Sequence, residues 1–209
     1  MRSRDAAGTR KKLVGSAFWE IYRNGYHRAR LDAILEGTGV TKGALYHHFA
    51  DKRALGYAVV DEVIRPWILR RWLQDVDGAP DPLDAIAASA RRVVSEATEE
   101  SIRCGCPLNN LVQEMAQLDE GFRSRLASVM DDWRAGLARA LVAGQERGRV
   151  RIDVDAGAAA LILVGTLEGL ASLSKCSGDR DVVRRAMEGL EALLDGLRPT
   201  RGPPRPASG

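Results

Sequence analysis

Gly39-Val40-Thr41-Lys42-Gly43-Ala44-Leu45-Tyr46-His47-His48-Phe49-Ala50-Asp51-Lys52 is the stretch whose reading decides the fold. Thr41 suits an N-cap, because its hydroxyl can accept a free backbone N–H of the first helical turn. At about 100° per residue, Leu45 and Phe49 fall on one side of such a helix. Gly43, Tyr46 and His47 fall on the other, with Lys42 at the edge. One side packs and the other faces out.

A helix this short does not stand alone, so another element must support Leu45 and Phe49. The preceding segment supplies it: Leu31, Ile34 and Leu35 recur at helical spacing, and Gly37 and Gly39 allow a tight break before Thr41. Helix, glycine-containing turn, helix is the helix-turn-helix pattern of DNA-binding proteins.

On these residues the chain resembles the tetracycline-repressor (TetR) family. The resemblance is carried by Gly25-Tyr26, Ile34, Gly39 through Phe49 and Asp51-Lys52-Arg53-Ala54-Leu55, and it covers roughly residues 9 to 57. It implies a dimeric, all-helical, ligand-responsive transcription regulator, usually a repressor. It also implies DNA contacts from the reading helix and from Lys52, whose counterpart in the family touches a phosphate. The candidate DNA-binding residues are Arg30, Thr41, Lys42, Gly43, Tyr46, His47 and Lys52. Gly43 would act by absence, letting the helix approach base edges or a thymine methyl. His48 reads equally as a packed histidine. At Ala29-Arg30 the chain departs from the family, where two hydroxyl residues usually open the second helix. Ala29 cannot cap, and Arg30 would replace a hydroxyl–phosphate contact with a charge.

Composition agrees with an all-α fold of an N-terminal three-helix helix-turn-helix domain and a C-terminal helical bundle. Hydrophobic residues make up 45% of the 209, enough for a core, while aromatics are only 5%. The formal net charge of +3 hides an asymmetry: residues 1–54 hold eleven Lys and Arg against five Asp and Glu, leaving the remainder acidic. A non-specific architectural DNA binder would be basic throughout, so the polyanion-binding role falls to one end. All three histidines also lie in that end, and no catalytic motif, cofactor motif or metal cluster is present, which argues against an enzyme. Three cysteines make no disulfide framework. With no apolar leader, and an apolar run from Ala156 that stops at Glu168, the expectation is a cytoplasmic protein without a membrane span.

The expected domains are residues 1–54 for DNA binding, 55–198 for ligand binding and dimerisation, and a disordered Pro-rich tail at 199–209. Residues 1–8 read as a basic arm, either lying on phosphates or without a role, before a first helix from Thr9 to Asn24. A fourth helix capped by Asp51 runs to about Trp72 with a kink at Pro66, joining the reading head to the body as a transmitter. Further helices open at Asp81-Pro82, running to about Ser101, and at Pro107, Asp119, Asp153 or Asp155, and Asp179. The glycine- and alanine-rich helix from Ala156 suits a homodimer interface with the last helix, or packing within one subunit.

A small-molecule inducer would bind inside the body, and Trp67, Trp72, Asn110, Gln113, Glu114, Trp133 and Glu168 are the candidate lining. Each tryptophan also reads as core. Glu168, on an apolar helix, needs a cation, an arginine or a polar ligand as partner. Cys106-Pro107-Leu108-Asn109-Asn110-Leu111 resembles a subgroup feature of the family's C-terminal domains, some members of which respond to oxidants or electrophiles through a cysteine. Cys106 at a helix start, with Lys175, forms a redox candidate if the helix N–H groups lower its pKa; a buried, inert thiol is the other reading. The DNA partner would be a palindromic operator.

Overall fold

The computed structural model describes residues 2–199, without the side chains of residues 2–5 and Arg180. Its described residues contain eleven α-helices, one π-helical turn and no strand. The head comprises α1 (Arg2–Asn24), α2 (Leu31–Leu35) and α3 (Lys42–His48). The body comprises α4 (Lys52–Val59), a π turn (Val60–Ile64), α5 (Arg65–Leu73), α6 (Pro82–Ser95), α7 (Glu99–Cys104), α8 (Pro107–Met115), α9 (Glu120–Glu146), α10 (Ala156–Ser177) and α11 (Arg180–Asp195).

In the head, α1 packs on α2 and α4, burying Leu13, Val14, Ala17 and Ile21. Behind the reading helix, Ile34, Leu45 and Phe49 are buried as the spacing requires. The turn between α2 and α3 needs its glycines: Gly37 and Gly39 both have positive φ, +74° and +68°, a region costly for side-chain-bearing residues. Thr38 closes the turn, its hydroxyl donating to the Leu35 carbonyl and accepting from Val40 N–H.

The body is built on α9, which contacts α5, α6, α8 and α10. Phe122, Leu126, Val129, Trp133, Leu137 and Leu141 make its continuous buried stripe, the three-and-four spacing that turns one helical face inward. Full burial of one such large side chain contributes roughly 1.5–3 kcal/mol, so this stripe anchors the bundle. Asp51, Asp81, Asp119, Asp155 and Asp179 each cap a helix through backbone N–H groups, so aspartate marks most of the body's helix starts.

Several sequence expectations change. The first helix runs from Arg2, so residues 2–8 are helical rather than a loose arm. In place of the kink expected at Pro66 the helix widens one turn earlier, into the π turn at Val60–Ile64: proline donates no N–H and its ring crowds the carbonyl four residues back, which the wider turn relieves. The helix from Pro82 ends at Ser95 rather than about Ser101, because Thr98 starts α7 with a reciprocal cap to Ser101. Arg198 is fixed against Asp81, Asp84 and Asp195, tying the end of the chain's last helix to α6. The tail at 199–209 lies, apart from Pro199, outside the described residues.

The apolar run from Ala156 also continues past Glu168: α10 spans 22 residues and, by length and composition alone, could cross a membrane. Its hydropathy has a local cause. One face, with Ala160, Leu163, Val164 and Leu167, is core, while Leu161, Ile162 and Leu173 on the outer side are each 58% exposed.

Candidate DNA-reading helix and effector cavity

Thr41 accepts from Ala44 N–H and thus caps the reading helix as its sequence requires. Lys42, Gly43, Tyr46 and His47 are all exposed along one edge, and nothing lies within 4 Å of where a Gly43 side chain would begin. Tyr46 is 47% exposed, a large aromatic side chain left facing solvent. Lys42 comes only to 4.0 Å of Asp32, an exposed pair that leaves its charge available. Arg30 is also exposed and is the N-cap of α2, without a side-chain cap; its backbone N–H donates to Glu20 instead.

Lys52 behaves differently from the other candidates. It is half-buried, its Nζ donates to the His27 carbonyl at 3.2 Å and it lies 4.8 Å from the Tyr26 ring centre. Burial lowers its pKa. Its ammonium therefore fastens the α1–α2 turn, with two donor hydrogens left over.

The inducer candidates separate into two groups. Trp67, Trp72, Trp133 and Glu168 line an apolar cavity of about 440 Å³ between α1 and the body helices α5, α6, α7, α9, α10 and α11. Asn110, Gln113 and Glu114 line a larger cleft, about 1070 Å³, at the junction of head and body. In that cleft the polar groups already satisfy each other. Glu114 accepts from Tyr26 N–H at 2.7 Å and His27 N–H at 2.8 Å, Lys175 donates to Asn110 at 2.9 Å, and Arg23 pairs with Glu100 at 2.7 Å. The smaller cavity is the better candidate, because its size suits a small organic molecule and two of its buried polar atoms, on Trp133 and Glu168, are not satisfied.

All four tryptophans of the chain line that smaller cavity. Trp72 and Trp133 stack at 5.4 Å with an interplanar angle of 16°, and Trp133 is buried with its indole N–H unpartnered. Glu168 is only 8% exposed; its Oε1 accepts from the Cys106 thiol at 3.2 Å and its Oε2 has no partner. Burial raises its pKa to about 7, with the thiol hydrogen bond pulling slightly the other way.

Of the two readings of Cys106, that geometry favours the buried, inert thiol. Although it is the N-cap of α8, burial and the facing Glu168 push its thiol well above the ordinary range, overriding the helix N–H groups that favour a thiolate. Lys175 does not compensate, since its ammonium is bonded to Asn110 rather than to the sulfur.

Sequence reading did not foresee the links between cavity wall and head. Tyr22, on α1, lines the cavity and donates its hydroxyl to the Gly105 carbonyl at 2.7 Å. Glu114 ends the helix that begins beside Cys106 and holds the α1–α2 turn by two backbone N–H groups. Tyr26 and Tyr57 both meet Phe122 edge-on, and Gly56 makes room for this junction: a methyl there would lie 2.7 Å from Phe122 and 2.8 Å from Tyr26. A single carboxylate such as Glu114 carries no sequence signal for a backbone partner 88 residues away.

A capped reading helix with a bare cationic and aromatic edge, set in a basic head on an acidic helical body, defines a helix-turn-helix DNA-binding transcription regulator. The comparisons place it more closely. Residues 13–59 match the family model of bacterial regulatory proteins of the tetR family, and residues 82–190 match the tetracyclin repressor-like C-terminal domain. The chain belongs to the TetR family. It is similar to the transcriptional regulator AcuR of Cereibacter sphaeroides, 29% identical over 157 residues that cover 75% of this chain and 71% of that protein. It is also similar to the transcriptional repressor DhaR of Mycobacterium sp. strain GP1, 23% identical over 188 residues, 88% of this chain and 92% of that one. A TetR transcriptional regulator from Chloroflexus aurantiacus superposes with a TM-score of 0.80 at 26% identity, covering 92% of this chain and 96% of its own. These relatives are regulators rather than enzymes, and the family binds DNA operators, usually as dimers.

Proposed function

We propose that this regulator is a homodimeric repressor that binds a palindromic operator and is released by a small-molecule inducer. The observation that carries the reading is the pairing of the exposed Lys42–His47 edge with an apolar cavity in the body, joined through α1, α7 and α8. Thr41, Lys42, Gly43, Tyr46 and His47 meet the DNA, Arg30 adds a phosphate contact, and Lys52 offers a spare donor hydrogen. The head then comprises residues 1–54 and the ligand-binding and dimerisation domain residues 55–198.

The dimer forms through α10 and α11. The exposed Leu161, Ile162 and Leu173 support this, as does the open space beside Gly165 and Gly169, which lets a second helix approach closely. Two heads related by a twofold axis read two half-sites, and an inducer that favours a different head spacing weakens DNA binding by its differential affinity. Tyr22 and Glu114 carry that preference, since both hold head backbone or cavity wall by direct hydrogen bonds. Such a protein acts in the cytoplasm.

Capture of genomic fragments at physiological salt, followed by sequencing of the retained DNA, tests the reading. A shared palindrome supports it. Retention without sequence preference, falling steeply with salt, would replace it with a non-specific architectural role.

A further inference from the structure

We infer that the tryptophan-lined cavity takes an organic cation: a protonated amine or quaternary ammonium on an apolar, aromatic frame. The inference rests on the reading of that cavity as the inducer site and names the chemistry it selects.

Charge within the cavity points this way. The titratable groups along its wall are Tyr22 on α1, Arg71 on α5, Glu96 after α6, Glu100 on α7, Cys106 before α8 and Glu168 on α10. Glu100 is paired with Arg23. Arg71 has Glu96 as its strongest charged neighbour and lies with its guanidinium 4.8 Å from the Trp67 ring centre. Glu168 alone has no such partner: one oxygen meets the Cys106 thiol, the other meets nothing, and the residue is 92% buried, the complement of its 8% exposure. A buried carboxylate without a compensating cation is costly, and a ligand cation is the group that relieves it.

The walls suit the same ligand. Tryptophan rings attract cations through the ring quadrupole, as Arg71 over Trp67 already shows on this wall, and the stacked Trp72 and Trp133 line the same cavity as the carboxylate. The free Trp133 indole N–H adds a donor for an ether or hydroxyl oxygen on the ligand frame. A carboxylate ligand would meet Glu168 unfavourably, and a neutral one would leave it uncompensated. Glu168 ionises near pH 7, whereas burial holds Cys106 and Tyr22 protonated above that, and Arg23 holds Glu100 low. Cation binding therefore strengthens from pH 6 to pH 8.

Calorimetric titration of the full-length protein with phenethylamine, 2-phenylethanol and 3-phenylpropionate tests this. The expected result is amine binding at least about tenfold tighter than the alcohol, the difference expected of one charge-assisted contact. Glu168→Gln should lower the amine to the alcohol's affinity and abolish its pH dependence, while unchanged alcohol binding shows that the variant cavity is intact. Equal binding of amine and alcohol by the wild type, or tightest binding of the acid through Arg71, would overturn the cation and leave the cavity as the inducer site. If none of the three binds a protein that still retains its DNA, the cavity reading fails and this inference falls with it. The wild-type comparison stands even if Glu168→Gln does not fold.

Discussion

The reading helix takes its cap, its turn and its nearest apolar backing from one short run of chain, Leu31 to Phe49, whereas the cavity takes its walls from α1, from α5 to α7 and from α9 to α11. In the first, a cap, a glycine turn and two apolar residues fix a helix whose outer edge is then free to meet DNA. In the second, no neighbouring residues in the chain state the purpose. Trp67 and Glu168 acquire theirs only when α5 and α10 pack around the same space. The lesson is one of range: chemistry carried by local geometry is written in order along the chain, and chemistry carried by packing is scattered through it.

The sharpest way to break this comparison is to damage the head and look for an effect in the body. Tyr46→Ala or Lys42→Ala is expected to remove operator binding while thermal stability and dimer remain as in wild type, because both side chains are exposed. Each lost contact costs about 1–3 kcal/mol and occurs in both half-sites, so affinity should fall by at least about thirtyfold. Fluorescence anisotropy at fixed salt reads the affinity, and calorimetry reads the stability. Retained operator affinity would refute the assignment of this edge as the reader.

The contrast also explains what was legible. The fold class, the family resemblance, the cap at Thr41 and the outward face of the reading helix follow from residues three or four apart. Four aspartate caps were readable in the same way, and the fifth was narrowed to Asp153 or Asp155, of which Asp155 caps α10. The role of Glu114 was not, because its partners are the backbone N–H groups of Tyr26 and His27, which any sequence would supply. Cys106 stayed ambiguous for a related reason: its position before Pro107 announces a helix start, but the burial that raises its thiol comes from packing, and the carboxylate that adds to it arrives from α10, 62 residues later. The tryptophans were half legible. Their scarcity marks them, yet only the fold gathers all four on one cavity.

A second test works in the body and should leave the head untouched. Folded Glu168 keeps its proton up to about pH 7, while in the unfolded chain it loses it near the ordinary value of 4.5. Between those values the folded state holds the extra proton, so its contribution to stability is complete below about 4.5 and is lost as pH rises through about 7. Asp81, Asp119 and Asp153 are shifted down and add the opposite slope at lower pH, so the useful quantity is the difference between wild type and Glu168→Gln. The variant should gain on the wild type from pH 5 to pH 8 by up to about 3 kcal/mol in denaturant melts, with operator affinity in the absence of ligand unchanged. A pH-independent difference would show that the carboxyl titrates normally and is less enclosed than its geometry indicates.

The smallest expected effect separates the two properties within a single residue. Arg30 is the N-cap of α2 with φ −106° and ψ 134°, extended backbone suited to a capping side chain, yet its own side chain makes no cap. Serine there could accept from a first-turn N–H of α2, so Arg30→Ser should stabilise the protein by about 0.5–1 kcal/mol. The same change removes an exposed cation from the head, and if Arg30 meets a phosphate, the slope of log affinity against log salt should flatten by about one counterion for each half-site. Higher stability with weaker, less salt-sensitive DNA binding would mean that this chain keeps an uncapped helix in exchange for a charge on the DNA. Higher stability with the salt slope unchanged would place Arg30 off the DNA, and the missing cap would then serve no role in reading.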